Sequence, residues 1–144
     1  MPDPHEKAGE ACDVLVVDDE PVVLSAARRV LEAAGLSVTT AADARSALAH
    51  PSSATCRVLL CDLMLPDRPG TEVMAALRAR RPNLPVVLTT GLINAETLDH
   101  ALEGSGASLL LKPFDESELL AAVLGALEPL RAPNAARSPW EEST

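Results

Sequence analysis

Five side chains, far apart along the chain, could do chemistry together: the adjacent pair Asp18 and Asp19, then Asp62, the hydroxyl of Thr90, and Lys112. Three carboxylates gathered at one place repel each other. Their pKa values rise and the fold is destabilised unless a cation offsets them. An all-oxygen donor set suits a hard ion. Mg²⁺ keeps several waters and is held by a few carboxylates together with phosphate oxygens. A carboxylate is also a nucleophile toward phosphorus, which gives an aspartyl phosphate. Such a transfer relies on electrostatic stabilisation of the phosphoryl oxygens more than on acid–base work. Lys112 could supply a charge for it and Thr90 a hydrogen-bond donor.

These residues must be positioned by elements, and the sequence shows which. Val14 to Val17 is a short β-branched run that stops at Asp18, Asp19 and Glu20. Residues 21–34 follow as a helix. Pro21 fits its first turn, Val23, Ala27, Val30 and Ala34 share a face, and Gly35 is placed to end it. Ser37 to Thr40 reads as a second strand and Ala42 to Ala49 as an Ala-rich helix. Pro51 to Thr55 reads as loop. Val58 to Cys61 is a buried strand ending at Asp62. The loop from Leu63 to Gly70 is rich in Pro, Asp and Gly, and Thr71 can cap a helix running to Arg80. Pro85 to Thr89 is a fourth strand, Asn94 to Glu103 a helix, and Ser108 to Leu111 a fifth strand. Asp115 with Glu118 makes a capping-box start for a last helix carrying Leu119, Leu120, Val123, Leu124 and Leu127. Pro129 and Pro133 end it.

Strands that alternate with helices imply an α/β fold, a parallel sheet covered on both faces. Right-handed crossovers limit its topologies. Ligands of such sheets bind beyond the carboxyl ends of the strands. Asp18–Asp19, Asp62, Thr89–Thr90 and Lys112 each follow or end a strand, so the candidate residues collect where that rule puts a site.

Composition narrows the classes. With 144 residues and 47% hydrophobic content the chain suits one domain with its own core. One Phe, one Trp and no Tyr leave that core to Leu, Val and Ala. A net charge of −9 and no basic run argue against direct nucleic-acid binding. No apolar run approaches the ~20 residues of a membrane span, and the polar start is unlike a signal peptide. Cys12, Cys56 and Cys61 lack metal-ligand spacing and read as reduced, buried thiols of a cytoplasmic protein. His5, His50 and His100 are scattered. Residues 1–11 and 131–144, the latter with Trp140, are expected to be disordered extensions of a domain spanning 12–130.

Four segments in order carry a specific resemblance: Val17-Asp18-Asp19-Glu20-Pro21, Asp62 to Pro66 with Gly70, Val86 to Gly91, and Lys112-Pro113-Phe114. Together they resemble the receiver domain of two-component response regulators, over about residues 12 to 130. The resemblance implies a doubly wound, flavodoxin-like sheet of five parallel strands in the order 2-1-3-4-5. It makes Asp62 the phosphoacceptor. Mg²⁺ would be held by Asp18, Asp19, Asp62 and the Met64 backbone carbonyl. Thr90, followed by the small Gly91, would be the switch hydroxyl, and Lys112 the phosphate contact. The Lys112–Pro113 peptide would be cis, a state essentially confined to X–Pro bonds. The phosphoryl donor would be a histidine kinase or a histidine phosphotransfer protein. Output would pass to a protein partner through the face formed by residues 91–111. The chain would catalyse only its own phosphorylation and slow dephosphorylation.

Three positions depart from the family or tune it. Receivers usually carry Tyr or Phe three residues before the lysine, and here that residue is Leu109, so an aromatic in–out switch is unavailable. The positions two beyond the phosphoacceptor and two beyond the switch threonine tune phosphate lifetime in receivers. Here they are Met64 and Leu92, both bulky and unable to orient a water, which predicts slow self-dephosphorylation. Two other readings compete. The domain can belong to a larger regulator or a hybrid histidine kinase. An Asp-nucleophile phosphatase usually has a second Asp two residues after the nucleophile, where this chain has Met64.

Overall fold

The structure is a computed structural model describing residues 12–91, 102 and 104–128. Its sheet is built from β1 (Val14–Val17), β2 (Val38–Ala41), β3 (Val58–Asp62), β4 (Val86–Thr90) and β5 (Ser108–Leu111). All neighbours pair in parallel, in the order β2-β1-β3-β4-β5. The three central strands, β1, β3 and β4, are buried along their whole length. Their unbroken apolar runs are what a sheet covered on both faces demands. The edge strands are less buried: Thr39 and Thr40 belong to β2, and Leu111 of β5 is exposed.

Helices α1 (Pro21–Ala33), α2 (Ala44–Ala49), α3 (Gly70–Arg80) and α4 (Glu116–Leu127) cover the two faces. On one face Leu15, Val17, Leu59, Cys61 and Leu88 pack with Val73, Met74 and Leu77 of α3. On the other, Val14, Val16, Leu60 and Val87 pack with Ala27 and Leu31 of α1 and with Leu119, Val123 and Leu127 of α4. The core is aliphatic, and Phe114 is only half-buried beside it. Each fully buried Leu or Val contributes about 1.5–3 kcal/mol relative to exposure. Truncating Leu59 or Leu88 to Ala should cost about 2–5 kcal/mol.

Local chemistry explains the helix ends. Pro21 occupies the first turn of α1, where a missing N–H costs nothing. At its other end Gly35 takes φ +91°. There the Gly35 N–H bonds the Glu32 carbonyl and the Leu36 N–H bonds the Leu31 carbonyl, at 2.9 and 3.1 Å. That pair of bonds is the Schellman motif, which favours glycine at the left-handed position. The capping box expected at Asp115 and Glu118 is present in both directions.

Several details differ from the expectations. Residues 51–55 are not simple loop: Pro51–Ala54 form a 3₁₀ turn, with the His50 Nδ1 accepting the Ser52 N–H at 3.0 Å. Proline's fixed φ favours that turn. Thr71 does not cap α3. The helix already starts at Gly70, with Pro69 at the N-cap position and no side-chain cap. Its start is fixed instead by the Gly70 N–H bonding the Leu63 carbonyl at 2.8 Å. The second and fourth strands are each displaced by one residue, to Val38–Ala41 and Val86–Thr90, and the helix expected from Ala42 begins at Ala44. Apart from Leu102, the helix expected over residues 94–103 lies outside the described residues, as do Leu92 and the two terminal segments.

Candidate phosphoacceptor site

Register aligns the carboxyl ends of the strands. Val17 pairs with Cys61, Asp62 with Thr89, and Thr90 with Leu111. Asp18, Asp62 and Lys112 therefore arrive at one edge of the sheet. The Lys112 Nζ lies 2.9 Å from the Asp18 Oδ2 and 3.0 Å from the Asp62 Oδ2. It also lies 3.3 Å from the Glu20 Oε1. Oxygens of Asp18, Asp19 and Asp62 can all be found within 4.8 Å of one another. Asp18 and Asp62 are buried, while Asp19 is exposed.

Three carboxylates thus surround one ammonium group, and Asp19 stands close to two of them. Burial pushes the Asp18 carboxyl above its ordinary pKa, and the nearby Asp62 adds to the rise; hydrogen bonds from Lys112 and the Glu20 N–H oppose it. Burial alone would lower the Lys112 pKa, but hydrogen bonds to Asp18 and Asp62 more than offset it, and the net shift is upward. Lys112 is therefore fully charged at neutral pH. Negative charge still exceeds positive at this edge. A cluster of hard oxygen donors with excess negative charge fits a hard divalent cation.

The loop after β3 holds Asp62 in place. The Met64 N–H donates to the Asp62 Oδ1 at 3.1 Å. Met64 then pairs with Pro69 in an antiparallel bridge, which folds the loop back on itself. Met64 is 61% exposed, an apolar residue next in the loop to an acidic cluster. Gly70 closes the loop against Asp62: a Cβ there would overlap the Asp62 carbonyl oxygen and lie 3.0 Å from its carbon. Asp67 reaches back to α2, where its two carboxylate oxygens accept the N–H groups of Ala44 and Arg45, each at 2.9 Å. The Ala44 N–H is the main reason its pKa falls below 3.8.

Thr90 is fully buried at the end of β4, and its carbonyl accepts the Lys112 N–H at 2.8 Å. Thr89, not Thr90, is the register partner of Asp62. It is buried, and its hydroxyl has no hydrogen-bond partner among the described residues. Strand alternation puts Thr90 on the face of Leu88, whose β5 partner is Leu109. Leu109 is half-buried there, packed against the core with Leu102 and Ala107. The Lys112–Pro113 peptide is cis.

Sequence reasoning passed over Glu20 and Asp67. Glu20 stands inside the acidic motif, but nothing in its local pattern distinguishes a site contact from a helix-start residue. The partners of Asp67 lie 23 and 22 residues earlier, beyond any local signal. All three cysteines are free and buried. Burial lifts the Cys56 thiol to about 11, and lifts Cys61 well above its ordinary value, with Asp62 and Asp18 adding to the second rise.

Residues 14–124 match the response regulator receiver domain family. Among curated proteins, the chain is similar to the probable transcriptional regulatory protein TcrX of Mycobacterium tuberculosis. They share 38% identity over 112 residues, covering 78% of this chain and 48% of TcrX. The chain thus spans about half the length of that relative, and 27% of the nitrogen assimilation regulatory protein NtrX of Azorhizobium caulinodans, to which it is 33% identical. Among solved structures it is similar to the receiver domain of NtrX from Brucella abortus. That likeness has a TM-score of 0.72 at 34% identity, covering 81% of this chain and 98% of the other.

Proposed function

The chain belongs to the response regulator receiver domain family, and from that premise we propose that Asp62 accepts a phosphoryl group from a phosphohistidine. The donor is a histidine kinase or a histidine phosphotransfer protein. One Asp62 carboxylate oxygen attacks phosphorus, the N–P bond breaks, and the imidazole leaves with the bonding electron pair. Asp18, Asp19, Asp62 and the Met64 carbonyl would hold Mg²⁺, which would supply neutralising charge to the phosphoryl oxygens. Lys112 gives up one of its carboxylate partners and donates to a phosphoryl oxygen, and the Thr90 hydroxyl donates to another. Beyond this transfer the chain catalyses only its own slow dephosphorylation.

The observation that carries this reading is the Lys112 ammonium held between Asp18 and Asp62 at 2.9 and 3.0 Å. A structural ion pair needs one carboxylate. This site has a surplus, at the edge of the sheet where α/β folds bind ligands.

Output passes to a protein partner through residues 91–111, without an aromatic at position 109. The net charge of −9 supports a protein partner over nucleic acid. Three free thiols support a cytoplasmic setting, and none of the described helices is long and apolar enough to cross a membrane. The phosphatase reading is opposed by Met64, which cannot serve as a general acid.

Incubation with a phosphohistidine donor and Mg²⁺ should give an acyl phosphate that hydroxylamine cleaves, leaving a hydroxamate that maps to residue 62. A label that survives hydroxylamine, or maps elsewhere, contradicts the proposal.

A further inference from the structure

We propose that Glu20 is a positioning residue: it holds the Lys112 ammonium at the rim of the site and so keeps Asp18 and Asp62 available to a divalent cation. The inference rests on the phosphoacceptor reading above and extends it to a residue outside the cation-binding set.

Three observations support it. First, the Lys112 Nζ has three N–H bonds to give and three carboxylates in reach: Asp18 at 2.9 Å, Asp62 at 3.0 Å and Glu20 at 3.3 Å. Two of those carboxylates also belong to the group of acids close enough to share a metal ion, and Glu20 does not. A cation held among Asp18, Asp19 and Asp62 would repel the ammonium from Asp18 and Asp62 and leave it Glu20. Second, Glu20 occupies the N-cap position of α1, yet its side chain makes no capping bond. Glutamate is absent from the residues favoured there, which are Ser, Thr, Asp and Asn. Its length serves a different purpose, the reach to Lys112. Third, its backbone is fixed for that reach. The Glu20 N–H donates to the Asp18 Oδ1 at 2.9 Å, and its carbonyl accepts from Val23 and Leu24 at the start of α1.

Without Glu20 the ammonium has only Asp18 and Asp62, and it competes with the cation for both. The concentration of Mg²⁺ that half-fills the site then rises. The pair is largely exposed on the Glu20 side, at 61%, so the effect is modest, about two- to fivefold.

The chain has two lysines, Lys7 and Lys112. The 144-residue chain carrying ¹³Cε-lysine therefore gives two lysine signals, and Lys112→Arg identifies the one that matters. MgCl₂ is added stepwise without any phosphodonor, and the Lys112 signal is followed in wild type, Glu20→Ala, Glu20→Asp and Glu20→Gln. Half-saturating Mg²⁺ should rise about two- to fivefold in Glu20→Ala. Glu20→Asp keeps the charge but loses the reach, and should behave like Glu20→Ala. Glu20→Gln keeps length and an acceptor oxygen, and should fall between wild type and Glu20→Ala. Substitutions at this exposed position leave the core intact. The inference is overturned if Glu20→Ala matches wild type. It is equally overturned if Glu20→Asp matches wild type while Glu20→Gln matches Glu20→Ala, because the residue then acts through charge alone. If Mg²⁺ leaves the wild-type signal unmoved, the cation-site reading itself fails, and this inference with it.

Discussion

The Gly70 α-carbon faces the main-chain carbonyl of Asp62 so closely that a methyl group has no room between them. Glycine at the start of α3 thus sets how near the helix comes to the proposed phosphoacceptor. Gly70→Ala should destabilise the fold by about 1–3 kcal/mol, the usual cost of overpacking. It should also lower phosphoryl uptake, because the carbonyl that must move belongs to Asp62. Urea midpoints and phosphorylation yield, measured side by side, check this. An unchanged midpoint would contradict it.

Surplus carboxylates at the sheet edge make stability depend on a cation. Mg²⁺ should raise the melting temperature, by the equivalent of about 1.4 kcal/mol at ten times its dissociation constant. Asp19→Asn removes a charge from an exposed position. It should raise the melting temperature of the metal-free protein and weaken the response to Mg²⁺. Calorimetric scans with Mg²⁺ and with chelator decide it. A response equal to wild type removes Asp19 from the cation site.

Met64 stands exposed two residues after Asp62, the proposed phosphoacceptor, and its side chain offers a water nothing to bond. Met64→Asn should speed loss of the acyl phosphate on the order of tenfold by orienting the attacking water. The wild-type phosphoprotein should persist far longer than seconds. Following intact mass against time gives both rates, and decay of wild type within seconds overturns the expectation.

Asp67 couples the phosphoacceptor loop to α2 through the N–H groups of Ala44 and Arg45. Its pKa is lower in the fold than the ordinary 3.8. A carboxyl with a depressed folded value stabilises above its unfolded pKa and loses that contribution as pH falls through the folded one. Stability of wild type should therefore fall more steeply than that of Asp67→Asn as pH drops through 3.8 toward the lowered value. Denaturant midpoints at a series of acidic pH values test this. Parallel curves contradict it.

Much of this site was legible in the sequence because each chemical residue ends a strand. Strand identity came from short apolar runs, and parallel topology then forced Asp18, Asp62 and Lys112 to one edge. What stayed illegible was long-range and geometric. Asp67 serves a helix 23 residues earlier. Glu20 looks like a helix-start residue until its distance to Lys112 is known. Thr71 fits a capping pattern, but the bond from Gly70 to Leu63 had already fixed the helix start. The register that sets Thr89, rather than Thr90, beside Asp62 follows from pairing across strands, which single-strand alternation does not reveal.

The central claim is phosphorylation of Asp62, and intact mass tests it most directly. The full chain is incubated with Mg²⁺ and a small phosphodonor, beside a control receiver. The account predicts one added phosphoryl group, absent in Asp62→Asn and absent when Mg²⁺ is chelated. No adduct under conditions that label the control, or an adduct that persists in Asp62→Asn, would contradict it.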